Sequence, residues 1–169
     1  AYARMKTDVR ASHILAMASQ EALPRDTVAA WLRINIIRDF INGKNIAADR
    51  VNEYEAAVNK TLDRKSPGYA KDSAEAKKKV LAIRELSKQK HLPGQDNFAL
   101  AARVTTEDPS AKENSGDLGY FTALEMVYPF ESAAYTMKKG EISAPVRTRF
   151  GYHIIKVTDA RPNQGEIKV

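Results

Sequence analysis

The sequence has 169 residues, with 27 Lys and Arg against 21 Asp and Glu, a formal net charge of +6 and no cysteine. That length suits one domain, or at most two small ones, and buries a core without covalent staples. The lack of cysteine excludes a disulfide scaffold, a cysteine-based zinc site and a thiol nucleophile, and no run of about 18 apolar residues is present to cross a membrane as a helix. The basic residues are scattered and alternate with acids, as in Lys71-Asp72 and Lys112-Glu113, and the one tight run, Lys77-Lys78-Lys79, lies near Glu75. No basic patch is interleaved with aromatics, which argues against a nucleic-acid partner. The chain opens at Ala1 with no visible signal peptide, which reads as a processed or excised protein.

Residues 1–8 read as the tail of a helix. Val9 to Met17 then alternates, with Val9, Ala11, His13, Leu15 and Met17 on one face, as a strand does. Pro24 stands where a helix can begin. Val28, Leu32, Ile36 and Phe40, widened by Ala30, Ile34, Ile37 and Ile41, predict a helix over 26–42 that Gly43 stops. Val51, Tyr54, Val58 and Leu62 predict a second helix over 47–63, ended by Ser66-Pro67-Gly68. A third starts near Asp72, which has capping-box spacing with Glu75, and turns Val80, Ile83 and Leu86 inward. Asp96 caps a short helix through Phe98, Leu100 and Ala101. After a turn-rich loop from Asp108 to Gly116 come a short strand at 118–121, a helix at 128–137, and strands at 142–148 and 152–158. Gly165–Val169 reads as the start of a further strand. This mixed order, closed by a hairpin, predicts an α+β fold with helices on a largely antiparallel sheet.

Two of the three histidines, His13 and His153, fall on apolar faces of predicted strands. Each alone is compatible with a core histidine bonded to backbone. Together on neighbouring strands their rings can bond each other, since a neutral imidazole offers one donor and one acceptor. No third ligand stands out for a metal, and none is expected. His91, beside Pro93-Gly94, reads as a loop residue.

Several motifs in order resemble the parvulin-type peptidyl-prolyl cis/trans isomerases. They are Ala11-Ser12-His13-Ile14-Leu15, Asp108-Pro109-Ser110-Ala111-Lys112, Gly116-Asp117-Leu118-Gly119-Tyr120-Phe121, the segment from Met126 through Pro129-Phe130-Glu131 to Ala133-Ala134-Tyr135, Gly140-Glu141-Ile142-Ser143, Pro145-Val146-Arg147-Thr148, and Phe150-Gly151-Tyr152-His153-Ile154-Ile155-Lys156-Val157. The resemblance covers residues 9–19 and 72–160. It implies a parvulin-like (FKBP-like) four-stranded, mostly antiparallel sheet with packed helices, and makes 20–71 a helical hairpin inserted after the first strand. The implied domain is 9–160, with 1–8 ending a preceding helix and 161–169 linking to a following domain.

The same resemblance implies the site. Leu118, Met126 and Phe130 would hold a proline ring, with Phe150 at the rim. His13, His153, Asp108 and Thr148 would form the polar wall, Asp108 standing where family members carry Cys or Asp. Phosphate-directed parvulins place basic residues after the first strand; here the stretch runs Met17 to Pro24 and Arg25 is the first cation. The expected activity is therefore isomerisation of Xaa-Pro bonds in unfolded or exported proteins, without a phosphate requirement and without a cofactor. A parvulin-fold client-binding module with little activity is the alternative. The resemblance extends to bacterial extracytoplasmic chaperone–isomerases, implying a periplasmic setting, client chains as partners and a longer multidomain protein.

Overall fold

The computed structural model describes residues 3–163. Strands β1 (Thr7–Met17), β2 (Asp117–Phe121), β3 (Val146–Thr148) and β4 (Gly151–Pro162) form one sheet in the order β2-β1-β4-β3, every neighbouring pair antiparallel. Helices α1 (Pro24–Ile41), α2 (Ala48–Asn59), α3 (Tyr69–Ser87) and α4 (Asn97–Thr105) lie between β1 and β2, and α5 (Tyr128–Thr136) between β2 and β3. The chain thus adopts the expected α+β class, with the helical hairpin α1–α2 directly after the first strand.

Alternation along the strands divides the core in two. Ile14, Ala16 and Ile154 face a cluster built with α1–α4, including Ile34, Ile37, Ile83 and Leu86. Val9, Ala11, Ile155 and Val157 face the other way and pack on Phe121, Phe130 and Ala134. The alternation of β1 survives because its partners take up the irregularities. Arg10 pairs with Asp159 and Ala11 with Val157, which leaves Thr158 as the extra residue of a bulge in β4.

Several boundaries differ from the sequence expectations. The described residues before β1 form a single 3₁₀ turn over Arg4–Lys6, and Thr7 and Asp8 already belong to the strand. The buried face of α1 runs through Ala29, Ala30, Arg33, Ile34, Ile36, Ile37, Phe40 and Ile41, so it is rotated from the expected stripe, and Val28 is exposed. The second helix ends at Asn59 rather than 63. The third begins at Tyr69, where the Asp72 N–H donates to Gly68 O at 2.9 Å, so Asp72 stands inside the first turn and caps nothing. The expected strand at 142–148 is reduced to Val146–Thr148 and an isolated bridge from Ile142 to Lys156. Pro145 has no N–H for a continuous ladder, and the Ser143 hydroxyl instead accepts from the Ile155 N–H at 2.9 Å. Asp96 caps α4 as expected, accepting from the Ala99 N–H at 2.9 Å. The reading of 165–169 as a strand lies outside the described residues.

Candidate active site

The register of β1 and β4 sets His13 opposite Ile155 and His153 opposite Leu15. The two histidines are diagonal neighbours on one face, within reach of aromatic side chains. Their rings lie 5.2 Å apart, inclined by 20°, with the two Nδ1 atoms 2.9 Å apart. Each outer nitrogen has its own partner. His13 Nε2 is 2.7 Å from Asp108 Oδ2, and His153 Nε2 is 2.7 Å from Thr148 Oγ1.

This chain has one consistent direction when both rings are neutral. A carboxylate only accepts, so His13 donates its Nε2–H to Asp108 and accepts at Nδ1. His153 then donates from Nδ1, and its Nε2 accepts the Thr148 hydroxyl. Thr148 Oγ1 in turn accepts the Phe150 N–H at 3.1 Å. Electrostatics support these states. Burial lowers the pKa of both histidines, and for His153, with the added influence of His13, to about 3. Burial opposes ionisation of Asp108, but the Ser110 hydroxyl, His13 and the Ser110 N–H outweigh it and hold the carboxyl below the usual carboxylate range.

Phe130 stands edge-on to both imidazoles, its centroid 5.7 Å from His13 and 5.4 Å from His153, at angles of 82° and 78°. It is buried at the start of α5, whose first turn carries Pro129. Above it opens a cavity of about 370 Å³ lined by Leu118, Met126 and Phe150, with His13, His153 and Asp108 on its polar side. Thr148 lies behind His153. The structure therefore brings together every residue the motifs nominate. Phe150 is half exposed, as a rim residue would be.

Two glycines make the approach of strands and loops possible. Gly116 has φ +85°, accepts the His13 N–H at 2.9 Å, and would place a Cβ 2.3 Å from His13 O. Gly151 has φ +148°, and a Cβ there would fall 2.0 Å from Ala16 O. The loop bearing Met126 is tied to α5 by buried Glu131, which accepts from the Leu124 N–H at 2.5 Å and from Arg4 at 3.0 Å. His91 lies apart, donating to Phe40 O at 2.9 Å.

Leu15, Glu125 and Arg149, which the family motifs leave out of the site, also line the cavity, as does Val127, apolar where family members are often polar. Arg149 adjoins Phe150, its guanidinium 4.9 Å from the ring centroid. The alternation that singled out His13 also places Leu15 on the same face, which was the available signal. Nothing local marks Glu125. Among the described residues, no group of three or more His, Cys, Asp or Glu side chains is placed to hold a metal ion.

Known proteins match this chain in sequence and fold. A family model described as "Rotamase: PPIC-type PPIASE domain" matches residues 57–159. A Bacillus cereus protein named foldase protein PrsA 1 is 38% identical over 140 residues, covering 82% of this chain and 44% of that protein. A Clostridium tetani foldase protein PrsA is 38% identical over 126 residues, covering 73% of this chain and 34% of its own length. The chain thus spans less than half the length of these relatives. A crystal structure of a PpiC-type peptidyl-prolyl cis-trans isomerase domain aligns with 96% of this chain and 98% of its own, at a TM-score of 0.50 and 18% identity, and shows the shared fold. On this sheet, these motifs and the matched span, the chain belongs to the PPIC-type peptidyl-prolyl cis/trans isomerase domain family.

Proposed function

We propose that this domain catalyses cis/trans isomerisation of Xaa-Pro bonds in unfolded or exported polypeptides, without requiring a phosphate. The observation that carries the reading is the apolar slot closed by Phe130 against a buried histidine pair that ends on ionised Asp108. A planar amide is held by resonance, with a rotation barrier of about 18–20 kcal/mol. Rotation breaks no covalent bond, so the catalyst has only to bind the twisted amide better than the planar one. Twisting removes charge separation from the amide, and an apolar slot favours the less polar species. Leu118, Met126 and Phe130 hold the proline ring while the preceding carbonyl swings past the polar wall.

His13, His153 and Thr148 support that wall. With every ring nitrogen committed to one partner, the two imidazoles are fixed in tautomer and orientation. Asp108 presents a carboxylate beside the rotating amide, as an acceptor for a substrate N–H and as a local charge. The stretch Met17 to Pro24 supplies no cation to pair a phosphate dianion.

The same reading takes 9–160 as the catalytic domain, interrupted by 20–71, within a longer multidomain chain that works outside the bacterial cytoplasm on client proteins. The bacterial relatives named foldases and their greater length support it. Refolding of a protein limited by an Xaa-Pro bond tests it. Added domain should abolish the slow phase in catalytic amounts. A slow phase that persists, with client still bound, replaces catalysis by simple client binding.

A further inference from the structure

The hairpin α1–α2 meets the segment that leads into Asp108 through the side chain of Arg33. Arg33 stands in the middle of the buried face of α1 and is 2% exposed. Its Nη1 donates to the Tyr54 hydroxyl of α2 and to Lys79 O of α3, both at 2.9 Å. Its Nη2 donates to Thr105 O, at the end of α4, at 2.8 Å. Its Nε lies 3.5 Å from Glu107 Oε1. A planar guanidinium with its donors in a fixed fork suits such a junction, and an ammonium does not. Two of these contacts fall on the short segment that leads into Asp108.

That segment completes the edge of β1. The pairing of β2 with β1 stops at Ser12, so the backbone groups of Leu15 and Met17 on that edge need other partners. The Leu15 N–H donates to Thr106 Oγ1 at 3.2 Å, the Glu107 N–H donates to Leu15 O at 2.9 Å, and the Met17 N–H donates to Glu107 Oε1 at 3.1 Å. Asp108 follows at once and meets His13, which projects from the same stretch of β1. Lys79 Nζ also approaches Glu107, at 3.4 Å, from a more exposed position.

We propose that Arg33 is a positioning residue for catalysis: it clamps the Thr105–Glu107 segment onto β1 and thereby sets the Asp108 carboxylate on His13. The inserted hairpin is then a structural part of the catalytic wall. Arg33 and its partner Tyr54 lie on α1 and α2, the helical hairpin that follows β1, so the clamp comes from that hairpin. The kinetic consequence rests on the isomerase reading; the geometric one does not.

Kinetics and imidazole NMR on Arg33→Met test the proposal. The expected result is a fall in kcat of about tenfold or more, as for a displaced catalytic group, with the peptide KM unchanged within about twofold. The slot of Leu118, Met126 and Phe130 belongs to β2, α5 and the loop between them, which Arg33 does not touch. The His13 Nε2–H resonance should move or broaden. Tyr54→Phe keeps the contacts to Thr105 and Glu107 and should retain both kcat and that resonance. Glu107→Gln removes the charge from the segment while leaving Arg33 its three hydrogen bonds, and should shift the resonance in the same sense even where Arg33→Met does not fold. Folded variants with a lower Tm but unchanged kcat and an unchanged His13 resonance overturn the proposal. If the wild-type domain does not isomerise peptides, the functional reading fails and the resonance alone decides the clamp.

Discussion

Lowering the pH from 7 to 5 should strip stability from this fold through its histidine pair. A histidine in an unfolded chain titrates near 6.5, whereas burial and the neighbouring His13 bring folded His153 to about 3. Because the folded pKa is the lower one, the unfolded chain takes up the proton first as the solution is acidified. The stabilisation is therefore complete above about pH 6.5 and declines below it until the folded pKa is reached. One proton refused by the folded state gives a slope of about 1.4 kcal/mol per pH unit, so His153 alone removes about 2 kcal/mol between pH 7 and 5. That is about 4–8 °C in Tm for a domain of this size. His13 is shifted the same way and adds to the slope. Asp108, held below the usual carboxylate range, is ionised throughout this window and contributes nothing to it. Urea unfolding at pH 7, 6 and 5 measures the effect on wild type and on His153→Gln, which removes the larger part of it. Parallel pH profiles for the two proteins would refute the burial and neutrality assigned to the pair.

The remaining predictions concern the slot, the wall and the backbone that supports them. Met126→Ala should raise KM for proline peptides by about tenfold or more, as expected when about 2 kcal/mol of ring burial is lost; steady-state kinetics with unchanged KM would remove Met126 from the slot. Asp108→Asn keeps an oxygen that accepts from His13 but removes the charge and turns an NH2 toward the Ser110 N–H, so kcat should fall by about tenfold or more, with circular dichroism confirming that the variant is still folded. Gly116→Ala forces a Cβ against His13 O at a positive φ and should destabilise the fold by at least about 2 kcal/mol in chemical denaturation. Leu124 has φ +74° with its side chain exposed, so Leu124→Gly should be neutral or stabilise by up to about 1 kcal/mol in the same measurement.

Much of this architecture is legible in the sequence because the relevant signals are local. The alternation of β1 and the turn at Arg149-Phe150-Gly151 are read over a few residues, and the ordered motifs bind distant segments into one resemblance. The diagonal placement of His13 and His153 needs only that β1 and β4 be neighbours. Arg33 shows where local reading stops. Its cation interrupts the apolar face of α1, which a four-residue stripe through Val28 and Leu32 passes over. The carbonyls that accept from it, Lys79 O and Thr105 O, and its ion-pair partner Glu107 lie far along the chain. Asp108 was legible as a motif position, but the reason it is held on His13 is a tertiary junction. The strand expected at 142–148 was shortened by Pro145, a residue whose cost to a ladder is visible only once the register is known.

The slot above Phe130 and the histidine pair should lower the barrier to Xaa-Pro rotation. Two-dimensional NMR exchange spectroscopy on a proline peptide with catalytic amounts of the domain measures this directly. Uncatalysed exchange takes tens to hundreds of seconds. With the domain present, cis/trans exchange cross-peaks are expected on a timescale of about a second or less, lost in Asp108→Asn and reduced in Met126→Ala. Exchange at the uncatalysed rate, while the peptide shifts the resonances of Met126 and Phe130, would contradict it.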